Sequence, residues 1–90
     1  MTRTKIKFAV DEWYDHHRRK VVWFTASADG KRIDCGISLD ALANRYGAYH
    51  DDPLPVFRAN RKHIETVAAL LLMQGRVEKD GTVLIRSADL

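Results

Sequence analysis

The chain is short of nearly every feature that points directly to a chemistry. Its 90 residues include one cysteine, two prolines and five glycines. A lone cysteine, Cys35, excludes an internal disulfide framework and a cysteine-built metal cage, and makes a reducing cytosol the expected compartment. There is no glycine-rich phosphate loop, no paired-carboxylate site and no Ser-His-Asp order. No apolar run approaches the ~18 residues of a membrane span. The opening MTRTKIKFAVDEW is positively charged but has no apolar stretch long enough for a secretory signal. Charge of one sign is scarce too. The net charge is +3, with eight Lys/Arg against five Asp/Glu in residues 1–36 and seven against seven in residues 37–90. The excess is confined to the N-terminal part and is milder than the patch of a dedicated nucleic-acid binder.

The residues that are present read as one domain. Hydrophobic residues at 46% and charged residues at 30% are ordinary for a soluble globular chain. A chain of this length buries roughly 60–65% of its unfolded surface, enough for a modest core without staples.

Periodicity organises the chain around a long helix from about Pro55 to Arg76. At 100° per residue, Phe57, Ile64, Val67, Ala68 and Leu71 share one face, and Arg58, Lys62, Glu65 and Ala69 the other. Pro53 and Pro55 suit a first turn, where a missing N–H costs nothing. Asp52 can cap that turn, and Gly75 marks the stop. Asn60 and Arg61 lie on or beside the apolar face. Leu70, Leu72 and Met73 point away from it, so the last turn is apolar nearly all round. That surplus is either enclosed by the chain beyond the helix or forms a contact, such as a homodimer interface.

Before the helix, Lys5–Val10 alternates as a short strand, and polar Asp11–Lys20 reads as a loop carrying Trp13 and Tyr14. Val21–Ala28 and Lys31–Ser38 flank Asp29-Gly30, a strong two-residue hairpin signal. That turn places Ala28 opposite Lys31, Ala26 opposite Ile33, Phe24 opposite Cys35 and Val22 opposite Ile37 on an inner face. The other face sets Trp23 over Gly36. Ser38 caps a short helix, Leu39–Tyr46, closed by Gly47. Thr82–Arg86 is a last strand after Asp80-Gly81, with Val77–Lys79 as a pairing candidate. The order β-β-β-α-α-β predicts an α+β fold: an antiparallel sheet with two helices packed on one face.

With these pieces placed, a resemblance emerges. The run V-x-F (Val22 to Phe24), then Asp29-Gly30, then I-x-C-x-I-S followed by L-x-x-L (Ile33 to Leu42), then F-x-x-N-R-x-x-I-E-x-x-A (Phe57 to Ala68), resembles the small bacterial proteins grouped as domain of unknown function 1488. The Trp13 region and the final Asp89-Leu90 are similar as well. The resemblance implies a bacterial cytosolic α+β protein. It implies no activity, and it carries over no catalytic residue.

Three functional readings are open. The favoured one is a non-enzymatic module that binds another protein or a copy of itself, through Trp23 on the second hairpin face and through Leu70, Leu72 and Met73. A second is nucleic-acid binding through Lys5, Lys7, Arg18, Arg19, Lys20 and Arg32. It requires those cations to converge, with Trp23 among them as a stacking surface. A third is an enzyme or anion-binding protein with a small pocket at Asn60 and Arg61, near His63 and Tyr46. Ile37–Gly47 also resembles the first helix of a helix-turn-helix, but His50–Pro55, an acidic, proline-rich loop, stands where the recognition helix is needed. His16, His17, His50, Asp51, Asp52 and His63 are metal-ligand types without a helical metal spacing, so no metal and no cofactor is expected. Cys35 falls on the inner sheet face, where a thiol is inert.

Overall fold

The computed structural model of the chain describes residues 5–15, 20–47 and 52–90. Four strands, β1 (Ile6–Asp15), β2 (Val21–Ala28), β3 (Lys31–Ser38) and β4 (Val83–Ile85), form one sheet in the order β1-β2-β3-β4. Three helices, α1 (Leu39–Tyr46), α2 (Pro53–Ala59) and α3 (Arg61–Met73), pack on one face, and a 3₁₀ turn (Ser87–Asp89) ends the chain. The fold is α+β, as expected. Two details of the expected architecture change. β4 pairs with β3 in parallel, so the sheet is mixed. The three helices together make the crossover that a parallel neighbour requires. The chain between Gly75 and Asp80 forms no strand. Its backbone meets the residues beyond the Asp80-Gly81 turn through the Glu78 N–H to Thr82 carbonyl bond of 2.8 Å, and its side chains meet them through the Glu78–Arg86 and Arg76–Asp89 ion pairs.

The central hairpin has the register that its turn dictates: Ala28 opposite Lys31, Ala26 opposite Ile33, Phe24 opposite Cys35 and Val22 opposite Ile37. Asp29 at φ 53° and Gly30 at φ 82° supply the two positive φ values of such a turn. The inner face of the sheet meets the helices in one core of Val22, Phe24, Cys35, Ile37, Leu42, Phe57, Ile64, Ala68, Val83 and Ile85, all fully buried. Phe24 stacks obliquely on Phe57 with ring centroids 5.3 Å apart. The short helix has its expected caps: Ser38 Oγ accepts from the Ala41 N–H at 3.1 Å, and the Gly47 N–H closes on the Ala43 carbonyl at 2.9 Å.

β1 runs five residues beyond the expected strand, to Asp15. Its pairing with β2 jumps from Phe8 opposite Ala26 to Glu12 opposite Phe24. Three residues, Ala9, Val10 and Asp11, therefore face one, Thr25. Two extra residues leave the side-chain alternation unchanged, so Ile6, Phe8, Glu12 and Tyr14 all point to the helix side. The polar sequence of this stretch reads as a loop because Glu12 occupies a core-facing position.

The long helix is broken at one residue. Asn60 (φ −116°, ψ 15°) separates α2 from α3. Its side-chain amide donates to the Val56 carbonyl at 2.9 Å, and its backbone N–H bonds to Phe57, three residues back, at 3.1 Å. A side chain that takes a carbonyl four residues behind it competes with the helical ladder. α2 begins as predicted, with Asp52 Oδ1 accepting from the Leu54 N–H at 3.0 Å. α3 ends as predicted, with the Gly75 and Arg76 N–H groups returning to Leu72 and Leu71.

Trp23 is not the exposed contact residue that the sequence suggests. It lies on the face away from the helices, between Trp13 and Gly36, and is 9% exposed. Gly36 lets the indole lie flat across β3. A Cβ there would stand 2.5 Å from Val21 Cγ1 and 2.9 Å from two Trp23 ring atoms. Gly36→Ala should therefore lower stability by about 1–3 kcal/mol, read as an earlier urea midpoint by tryptophan fluorescence. An unchanged midpoint would mean that the two side chains move aside freely.

Candidate functional site

The described polar side chains converge most strongly where α2 and α3 meet β1. Arg61, the first residue of α3, points into the β1 bulge. Its Nε donates to Glu65 Oε2 at 2.9 Å. Its Nη1 donates to Glu12 Oε1 at 2.9 Å and to the Val10 carbonyl at 3.3 Å. Its Nη2 donates to the Asp11 carbonyl at 3.3 Å and to the Ala9 carbonyl. A guanidinium has five N–H donors, and each has an acceptor here. The plane also lies over the Phe57 ring, 5.3 Å from its centroid. Glu12, whose side chain is 10% exposed, binds Arg58 with its second oxygen. Two arginines thus neutralise the carboxylate that faces the core, and Arg61 satisfies the carbonyls that the bulge removes from the ladder.

This geometry decides what Arg61 offers. With all five donors engaged and two carboxylates against it, it presents no free N–H to an anion. The expected anion site at Asn60 and Arg61 is occupied by the protein's own groups, since the Asn60 amide is bound to Val56. The two other residues of the enzyme reading form a separate pair. Tyr46 Oη lies 2.6 Å from His63 Nδ1. Burial, opposed by Arg45, raises the Tyr46 pKa, so the phenol keeps its proton. A surface hollow of about 590 Å³ at the helix break is lined by Arg58, Ala59, Asn60, Arg61, Lys62 and His63, but the polar atoms of Asn60 and Arg61 turn inward from it.

The cations of the nucleic-acid reading do not form one patch. Lys7 and Arg32 share a cross-strand row through Ser27, and Lys5 adjoins the hairpin turn. Lys20 precedes the opposite end of β2, about 23 Å away at 3.3 Å per residue. Arg32 is paired with Asp34 at 3.2 Å, and Trp23 between the two ends is closed. Arg18 and Arg19 lie outside the described residues, as do His16, His17, His50 and Asp51. Among the described residues, no three of His, Cys, Asp and Glu are grouped to hold a metal ion. Among the same residues, no helix is long and apolar enough to cross a membrane.

Of the apolar residues expected at the end of the long helix, Leu72 packs against the core. Leu70 is 51% and Met73 71% exposed. Val77 is a further exposed hydrophobic in the segment after the helix, and its place in the expected strand pair gives no sign of this.

A small mixed sheet backed by helices, with its polar groups spent on holding an irregular edge strand, defines an α+β domain without a recognisable reaction centre among the described residues. The chain belongs to the DUF1488 family, described as proteins of unknown function, whose model matches residues 6–85. A crystal structure of a protein of unknown function from the same family, from Shewanella loihica PV-4, is similar in fold. It has a TM-score of 0.85 and 24% sequence identity, over 94% of this chain and 96% of that one. No functionally curated protein matches the chain. No activity follows from the family.

Two predictions test these assignments. Arg61→Met should cost about 3–5 kcal/mol in chemical denaturation, because it strands Glu65, one oxygen of Glu12 and three bulge carbonyls. Arg58→Met, at a largely exposed partner, should cost at most about 1 kcal/mol. Arg61→Lys should recover less than half the loss, since one ammonium cannot reach acceptors spread over a bulge and a helix. Equal costs for Arg58 and Arg61 would remove Arg61 from the centre of the network. Separately, burial and then Asp34 push the Cys35 thiol up to about 12. Its folded pKa is thus above its unfolded one, so its contribution to stability is complete below about pH 8.5. That contribution is lost as pH rises toward 12. Cys35→Ala should flatten this alkaline loss, and native Cys35 should resist a thiol reagent until the protein unfolds.

Proposed function

We propose that the protein is a non-enzymatic domain of the bacterial cytosol that acts by binding another protein, and that the contact lies on the outer side of α3 near its C-terminus. One observation carries this reading: Leu70 and Met73, three residues apart on one helix, are 51% and 71% exposed. Helix neighbours at that spacing form a joint surface. Exposed apolar side chains that stand together with polar residues around them mark contact surfaces. The non-enzymatic part is supported by the occupied donors of Arg61 and by the burial of Cys35. A single buried thiol is compatible with a reducing cytosol.

The test is site-specific. Met73→p-benzoylphenylalanine, irradiated in growing cells, should give a cross-linked product of defined mass. The same photoreactive residue at exposed Lys31, on the far end of the hairpin, should give none. Met73→Asp should weaken capture of that partner at least about ten-fold, with folding stability within about 0.5 kcal/mol of the parent. Equal yields at both positions would remove the binding assignment from α3.

A further inference from the structure

The protein-binding reading leaves the partner open, and the charges around the α3 face narrow it. The buried residues Ile64, Val67, Ala68 and Leu71 define the inner side of α3. Lys62, Thr66, Ala69 and Met73 recur along the opposite side. That outer side changes character along its length. It is cationic and polar at Lys62 and Thr66, then apolar at Ala69, Leu70 and Met73. Beyond the helix come Val77, 45% exposed, and Lys79. Lys62 precedes Met73 by about 16 Å along the axis, so a cation stands at each end of the apolar stretch in the chain.

The nearby acids are already committed. Glu65 is bound to Arg61, Glu78 to Arg86 at 2.8 Å and Asp89 to Arg76 at 2.9 Å. Asp80 accepts from Thr82 at 2.7 Å. Lys62 and Lys79 have no ion-pair partner among the described residues. The negative end of the helix dipole lies close by, but its last carbonyls are bound by the closing turn. The two cations that bracket this stretch in the chain are therefore not engaged by Glu65, Glu78 or Asp89.

Resting on the protein-binding reading, we infer that α3 docks an acidic amphipathic segment of a different protein. The segment carries two or more apolar side chains that cover Leu70 and Met73, and carboxylates on either side that meet Lys62 and Lys79. Complementary charge at the rim of an apolar patch steers association and excludes wrong partners. A second copy of this chain fits the face less well. A twofold contact repeats the same surface on both sides. Two antiparallel α3 helices would set Lys62 of each copy toward Lys79 of the other, while Glu65, Glu78 and Asp89 are held by arginines of their own chain, and each chain already carries net charge +3.

Selection of a displayed random 16-residue peptide library on the intact protein tests this. Selected peptides should combine apolar residues three or four apart with flanking Asp or Glu. They should lose at least ten-fold in affinity against Leu70→Ser/Met73→Ser. Against Lys62→Glu/Lys79→Glu the acidic preference should disappear, and binding to the parent should weaken as salt is raised. Circular dichroism establishes that each double variant is folded, all four side chains being at the surface. Peptides that need Leu70 and Met73 but show no acidic preference would overturn the charge inference and leave the α3 contact standing. A panel indifferent to Leu70 and Met73 would overturn both. A concentration-dependent dimer of the parent that Met73→Ser abolishes would overturn the heterologous partner in favour of a second copy.

Discussion

One guanidinium, that of Arg61, holds three consecutive carbonyls of the β1 bulge, one oxygen of Glu12 and one of Glu65. The bulge and the inward carboxylate are each costly alone. Carbonyls withdrawn from a ladder need donors, and a carboxylate facing Phe24 needs a cation. Arg61 supplies both needs from one side chain, at the face of the sheet that the three helices cover. The break at Asn60 belongs to the same arrangement. It ends α2 after Phe57 has reached the core beside Phe24 and starts a new axis at Arg61. Phe57 and Arg61 remain stacked across the break, joining the aromatic core to the polar clamp.

The clamp also protects an edge. β1 is the outermost strand on its side of the sheet, and an exposed edge strand is a template for unwanted pairing. A bulge in mid-strand interrupts that edge, and the carbonyls of Ala9, Val10 and Asp11 are already taken by Arg61. At the other edge, β4 has three residues and is flanked by the Glu78–Arg86 and Arg76–Asp89 ion pairs. Both edges are thereby kept short or occupied, which argues against sheet-to-sheet association as the way this domain meets a partner.

The features legible in the sequence are local ones. Asp29-Gly30 fixes its hairpin register through the backbone alone, and every cross-strand pair read from it is present. Ser38, Gly47, Asp52 and Gly75 act as helix signals for equally local reasons. The features that are not legible depend on partners distant in the chain. Glu12 can point inward only because Arg58 and Arg61 come to it 46 and 49 residues later. Asp11–Lys20 therefore reads as a loop when half of it is strand. Asn60 lies within a good helical pattern, and nothing in the pattern says that its amide will take the Val56 carbonyl. The parallel pairing of β4 likewise needs the helical crossover in place. At the candidate site, the apolar end of the long helix is visible from periodicity, whereas its split into covered Leu72 and exposed Leu70 and Met73 depends on where the core ends. Trp23 fails the other way: its flat seat over Gly36 is readable, but the closure of that seat by Val21 and Trp13 is not.

Polar saturation and apolar exposure are complementary clues here. Around Arg61, donors and acceptors match so fully that a ligand would have to displace the protein's own groups, and loosening them would cost the fold its edge strand. Near the end of α3 the situation reverses. The turn at Gly75 satisfies the backbone, the nearby carboxylates are engaged within the chain, and Leu70 and Met73 meet water, with Lys62 before them and Lys79 after them in the chain. A surface that is finished internally yet unfavourable toward solvent can gain free energy from a partner without unfolding anything. The polar clamp and the exposed apolar face are thus separate features, the first fixing the scaffold and the second being the surface proposed for the contact, on a helix that the clamp holds at its first residue.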